Sequence, residues 1–272
     1  MTKKLTVIYV YKNNPPKGGF SVKKYYLCGI MKVEYRKHYS QNLGRDMEYK
    51  VYGHAGKTAL VFPSQNGRFF DYENFGMVDV LSDFIESGRL RLVCCDSIDP
   101  ETWSSWSWDC HARIAQHERW YHYICDELIP EIGDKGNIIS TGCSMGGFHS
   151  ANFFFRRPDI FDTLIAQSGL YHASYFFGNY SDELVYSNSP EDYLTWMPRD
   201  HYYWDEYRKR RIIVCCGQGN WEEDLLASTR RLDTILRDHG VPAWFDYWGF
   251  DVAHDWCWWR PQIRYFMEKV LG

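Results

Sequence analysis

The sequence predicts one α/β domain on a mostly parallel central sheet, with an antiparallel hairpin at its N-terminal side and helices on both faces. Three observations predict it. Short apolar runs of strand length alternate with helix-length segments along most of the chain, the rhythm of β–α–β crossovers. Residues 31–38 and 47–53 alternate in polarity around Asn42-Leu43-Gly44-Arg45, the pattern of a hairpin. A length of 272 residues is fewer than two domains at roughly 150 residues each, and a chain of that size needs no disulfide or structural metal to hold its core.

The elements follow in order. Residues 1–30 stand apart: a short β-like run precedes the breaker cluster Asn13-Asn14-Pro15-Pro16-Lys17-Gly18-Gly19. They read either as a peripheral N-terminal extension or as an extra strand on the sheet edge, and 31–272 as a single α/β domain. After the hairpin, Thr58 to Phe62, Leu90 to Cys95, Gly136 to Thr141, Thr163 to Gln167, Arg211 to Cys216 and Ala243 to Trp248 are apolar runs that read as buried strands. Met77 to Glu86 has helical spacing. Ile114 to Ile132 carries Tyr121, Ile124, Leu128 and Ile132 as one stripe. Met145 to Arg157 stops at Pro158, Asp224 to His239 stops before Gly240, and Trp256 to Leu271 closes the chain. The stretch at about 171–210, rich in Tyr, Trp, Asp, Asn and Pro, fits no strand–helix unit. It reads as an irregular insert over the C-terminal edge of the sheet.

Composition excludes several classes. Lys and Arg number 31 against 35 Asp and Glu, so no basic face is expected for nucleic acid. No apolar run approaches the roughly 20 residues of a membrane span, and the apolar stretch Leu5 to Tyr11 has no small-residue cleavage site after it, against export. The nine cysteines form neither a CxxC pair nor a zinc-spaced cluster. Cys94-Cys95 and Cys215-Cys216 lie inside apolar runs and read as small buried hydrophobes. A reducing cytoplasm is the simplest compartment. No metal or cofactor is called for, and nothing sets the oligomeric state. Forty-nine aromatic rings (12 Trp, 21 Tyr, 16 Phe) are the outlier.

The sharpest motif is Gly142-Cys143-Ser144-Met145-Gly146-Gly147, a G-x-S-x-G with a strand before it and a helix after it. That context is a strained strand-to-helix turn that raises a serine above the sheet, with small residues where backbones approach. The backbone N–H of Met145 then points to where an oxyanion forms. A serine hydroxyl needs a base, and this architecture orders the chain serine, acid, histidine. Of the histidines after Ser144, His254 lies in the loop between the last strand and the last helix, where that base belongs. The acid belongs past Arg211 to Cys216, in Gly217-Gln218-Gly219-Asn220-Trp221-Glu222-Glu223-Asp224. If Asn220 caps the helix, Glu223 is its capping-box partner and Asp224 sits in the first turn. Glu222 is the first choice, with Asp224 and Glu223 as alternatives. The second oxyanion donor is expected from a backbone N–H of Gln65 or Asn66, in the loop after Thr58 to Phe62. Trp103 and Trp106, past the strand Leu90 to Cys95, and Trp221 are candidates for a substrate pocket, with packing against the helix Ile114 to Ile132 as the other reading of the first two.

The elbow, with Pro158-Asp159-Ile160-Phe161-Asp162, Ser168-Gly169, and His254-Asp255-Trp256 followed by Trp259, resembles the putative esterase (esterase D-like) family. That family includes S-formylglutathione hydrolases, feruloyl esterases, enterochelin esterases and mycolyl-transferring antigen 85 proteins. The resemblance covers roughly residues 35–271. It implies an α/β-hydrolase fold, no metal, and ester chemistry through an acyl-serine, with Ser144 as nucleophile and His254 as base. The family's acid often falls three residues past a glycine, and Gly219 plus three is Glu222, although glutamate stands where aspartate is usual. The expectation is a serine esterase acting on a small-molecule ester. Acyl transfer by the same residues to an alcohol or thiol is a second reading. A non-catalytic binding protein on the same scaffold is a third, and the retention of Ser144, His254 and several acids argues against it.

Overall fold

The computed structural model describes residues 31–134 and 136–272; the extension expected at 1–30 lies outside the described residues. Among the described residues, eight strands form one sheet in the order β1-β2-β4-β3-β5-β6-β7-β8. They are β1 Val33–Ser40, β2 Arg45–Tyr52, β3 Lys57–Phe62, β4 Leu90–Cys95, β5 Ile138–Cys143, β6 Phe161–Gln167, β7 Arg211–Cys216 and β8 Trp244–Tyr247. β1 pairs with β2, and β2 with β4, antiparallel. Every pairing from β4 to β8 is parallel.

Alternation along the strands splits the core in two. Leu60, Phe62, Val93, Cys95, Leu164 and Val214 face one layer, while Ala59, Val61, Leu92, Cys94, Ile165 and Ile213 face the other. This is the period-two geometry of a sheet covered on both sides. Cys94 and Cys95 therefore point apart, as their positions predict. The first layer takes α1 (Cys110–His122), α2 (Met145–Arg156) and α3 (Glu223–Asp238). The second takes α4 (Trp256–Leu271) and the segment 77–85.

Two expected helices are not continuous. Met77 to Glu86 divides into a 3₁₀ turn, Asp79–Leu81, and a short helix, Ser82–Glu86. Past His122 the long helix widens into a π-helix at Tyr123–Leu128 before a last α-turn at Ile129–Glu131. Its predicted stripe of Tyr121, Ile124, Leu128 and Ile132 is buried throughout, so the apolar pattern survives the change of winding. The insert at 171–210 is more regular than its composition suggests. It folds as four short helices, Ser174–Phe177, Glu183–Ser187, Pro190–Trp196 and Tyr203–Arg208. Each is too short to show a helical period, and proline or polar breakers separate them.

Candidate active site

β5 ends at Cys143 in the middle of the sheet, and α2 starts at Met145. Ser144 between them has φ 57° and ψ −122°, a conformation that costs a non-glycine residue on the order of 1–3 kcal/mol and persists only where the surroundings impose it. Two glycines make it possible. A Cβ on Gly142 would come within 2.5 Å of the Gly146 backbone and 2.6 Å of the Phe62 carbonyl. A Cβ on Gly146 would run into that same carbonyl. The tight turn is the reason for the glycines in the motif, and it lifts the Ser144 hydroxyl over the C-terminal ends of the parallel strands, where open α/β sheets bind ligands.

His254 reaches the same point from the loop between β8 and α4. Its Nε2 lies 2.8 Å from Ser144 Oγ. The backbone N–H of His254 donates to the Asn220 carbonyl at 3.1 Å, which ties its loop to the one carrying the acids. Asp255 caps α4, accepting from the Cys257 N–H at 3.0 Å, and leaves the His254 ring free of that duty.

Of the three competing carboxylates, the structure brings Glu222 to the imidazole. Glu222 is buried, and its Oε2 lies 3.4 Å from His254 Nδ1. That separation is long, and His254 Nδ1 makes no hydrogen bond among the described residues; such contacts commonly tighten only when substrate binds. Glu222 Oε1 accepts from Ser168 Oγ at 2.6 Å, and Oε2 accepts from the Cys216 thiol at 3.3 Å. Burial and the neighbouring Glu222 push the Cys216 thiol far above its ordinary range, so it stays protonated and can donate. Glu223 and Asp224 line a cavity beside Ser144 instead. The Asn220 cap does not form. Trp221 takes φ 68°, which turns the chain, and the N-cap of α3 falls at Glu222. Glu223 is then the first helical residue and cannot be a capping-box partner.

The loop after β3 separates the two oxyanion candidates. Asn66 has φ 58° and its N–H points away from the cavity to Asp99 Oδ2 at 3.4 Å, while its side chain accepts from Ser104. Gln65 lines the cavity with Ser144 and Met145. Asp99 is itself buried and holds His149 of α2, Nε2 to Oδ1 2.9 Å, so a buried pair links the elbow helix to this loop.

The cavity has a volume of about 250 Å³. Met145, Phe148, Leu170, Phe176 and Leu225 give it an apolar wall, and Tyr175, Trp221, Glu223 and Asp224 a polar rim. Trp221 lines it, as expected. Trp103 and Trp106, also candidates for the pocket, do not. Trp103 is buried, donates its indole N–H to His117 Nδ1 at 2.9 Å and packs edge-on against Phe148; Trp106 is 97% exposed and lies off the cavity. The insert supplies the wall residues that the sequence pattern missed, since nothing in a run of short polar helices marks Tyr175 or Phe176 as facing a serine.

A family model described as Putative esterase matches residues 40–266. The chain belongs to this family. Membership makes it an esterase, and its fold is the α/β-hydrolase fold. Solved structures share that fold at low identity. A ferulic acid esterase superposes with a TM-score of 0.71 at 20% identity, over 89% of this chain and 98% of its own. Fluorophosphonate-binding serine hydrolase F of Staphylococcus aureus gives 0.68 at 16%, over 90% and 100%. An S-formylglutathione hydrolase of Agrobacterium tumefaciens gives 0.64 at 14%, over 92% and 98%. No curated protein matches the sequence. Among the described residues, this esterase has no helix long and apolar enough to cross a membrane and no group of three or more His, Cys, Asp or Glu that could hold a metal.

Proposed function

We propose that Ser144, His254 and Glu222 form the catalytic triad of a serine esterase that works through an acyl-serine intermediate. The observation that carries the reading is the 2.8 Å contact between Ser144 Oγ and His254 Nε2 at the tip of a strained elbow. His254 takes the hydroxyl proton as Oγ attacks the ester carbonyl. Glu222 orients the imidazole and stabilises the imidazolium without taking the proton. The N–H groups of Met145 and Gln65 receive the oxyanion, a role for which Gln65 is favoured because the Asn66 N–H is directed to Asp99. His254 then protonates the leaving alcohol, activates water and releases the acid.

The apolar wall and modest volume suit a small ester, with the acyl group or its alcohol against Phe148, Phe176 and Leu225. The test is a hydrolysis screen of p-nitrophenyl acyl esters, a feruloyl ester and S-formylglutathione, repeated with Ser144→Ala. The expected result is turnover of at least one ester, lowered at least on the order of 10⁴-fold in the variant. A variant retaining more than a tenth of the activity refutes the nucleophile. Product analysis with added alcohol separates hydrolysis from acyl transfer.

A further inference from the structure

We infer that Ser168 and Trp259 are positioning residues that fix the hydrogen-bond direction of the acid–base pair, acting on Ser144 only through Glu222 and His254. The inference rests on the roles proposed for those two residues.

Four side chains close a ring at the site. His254 Nδ1 faces Glu222 Oε2 at 3.4 Å, and Glu222 Oε1 lies 2.6 Å from Ser168 Oγ. Ser168 Oγ lies 3.2 Å from Trp259 Nε1. The Trp259 ring meets the His254 ring at 90° with 4.8 Å between centroids. Ser168 follows β6, Glu222 precedes α3, His254 precedes α4, and Trp259 sits in the first turn of α4. Ser168, Glu222 and Trp259 are buried, so water does not compete for these contacts.

The donor inventory makes the ring directional. An indole N–H can only donate, and a serine hydroxyl has one proton. Ser168 Oγ therefore accepts from Trp259, and its own proton is left for Glu222 Oε1. The carboxylate then meets a donor that cannot turn round on one oxygen and offers the other to His254. An acceptor facing Nδ1 selects the Nδ1–H tautomer, whose bare Nε2 takes the Ser144 proton. The backbone locks both ends. The Ser168 N–H donates to the Cys215 carbonyl at 2.8 Å, and the Trp259 carbonyl accepts from Gln167 Nε2 at 2.9 Å.

The test reads the rate at which a fluorophosphonate phosphonylates Ser144, separated into maximal rate and half-saturating concentration. Ser168 has φ 49°, where glycine is at ease, so Ser168→Gly removes the hydroxyl without straining the turn. It should lower the maximal rate roughly 10- to 100-fold, the size of losing one hydrogen bond to a charged group, with half-saturation little changed. Trp259→Phe keeps the ring edge and loses the N–H, and should cost several-fold. The double variant should be no slower than Ser168→Gly alone, and Ser168→Gly should cause no further loss in a Glu222→Gln background. Losses that multiply, or a Ser168→Gly rate within about twofold of wild type, would overturn the inference. Should Ser168→Gly fail to fold, Trp259→Phe alone decides: an unchanged maximal rate overturns it. A wild-type protein that takes no label refutes the Ser144 reading first, and this inference with it.

Discussion

Replacing Glu222 by glutamine changes one buried atom of the site, and the geometry dictates how the amide must sit. Glu222 Oε1 receives the Ser168 hydroxyl at 2.6 Å, and that hydroxyl cannot reverse because Trp259 donates to it. The amide oxygen therefore goes to Ser168. The amide nitrogen falls where Oε2 stood, facing the Cys216 thiol and His254 Nδ1. An N–H₂ there donates to Nδ1 and holds the imidazole with its proton on Nε2, the tautomer that cannot accept from Ser144. The imidazolium also loses its counter-charge. In other triads the same exchange costs up to about 10⁴ in kcat through the wrong tautomer, so a loss of roughly 10²- to 10⁴-fold is expected, or about 3–5 kcal/mol. Steady-state hydrolysis of a p-nitrophenyl ester measures it, with thermal unfolding as the control for folding. A kcat within tenfold of wild type would refute the reasoning, and a comparable loss in Asp224→Asn with Glu222→Gln intact would move the acid to Asp224.

His117 is fully buried, accepts from Trp103 at Nδ1 and contacts Asn188 at Nε2; burial, with His149 alongside, holds its pKa well below the ordinary 6.5. The folded state keeps it neutral while the unfolded chain protonates it, so its contribution is present above about pH 6.5 and is lost as pH falls below that value, by up to about 1.4 kcal/mol per pH unit for one proton. Urea unfolding of wild type and His117→Gln from pH 7.5 to 5 should show the shallower slope in the variant; parallel slopes contradict the assignment. Removal of residues 1–30 should leave ester hydrolysis near wild type, because among the described residues the sheet begins with β1 at Val33; an insoluble or unfolded product would make the segment part of the fold.

What the sequence displays and what it hides have separate causes. The parallel strands announce themselves because both faces are buried, so Leu60, Val61 and Phe62 read as an unbroken apolar run. Ser144 and His254 are legible because their places depend on local signals: glycines that a turn requires, and a loop between the last strand and the last helix. The acid was only narrowed to three neighbours, since one left-handed residue, Trp221, decides which carboxylate turns inward, and no local pattern marks it. Trp103 and Trp106 stay open between pocket and packing in the sequence because aromatic residues serve cores and pockets equally. Trp103 went inward, where its N–H found the ring of His117 from a helix 14 residues away in sequence. Ser168 reaches Glu222 and Trp259 only through tertiary folding, and no local pattern marks Cys216 or Trp259 as partners of the acid–base pair.

The central claim is that the ester carbonyl is transferred to Ser144. Rapid-quench mass spectrometry of the enzyme mixed with p-nitrophenyl butyrate tests it most directly. The account predicts a transient butyryl adduct on the peptide containing Ser144, formed with a stoichiometric burst of p-nitrophenol and absent in Ser144→Ala. Turnover without any adduct, or an adduct on another residue that persists in Ser144→Ala with activity retained, would contradict it.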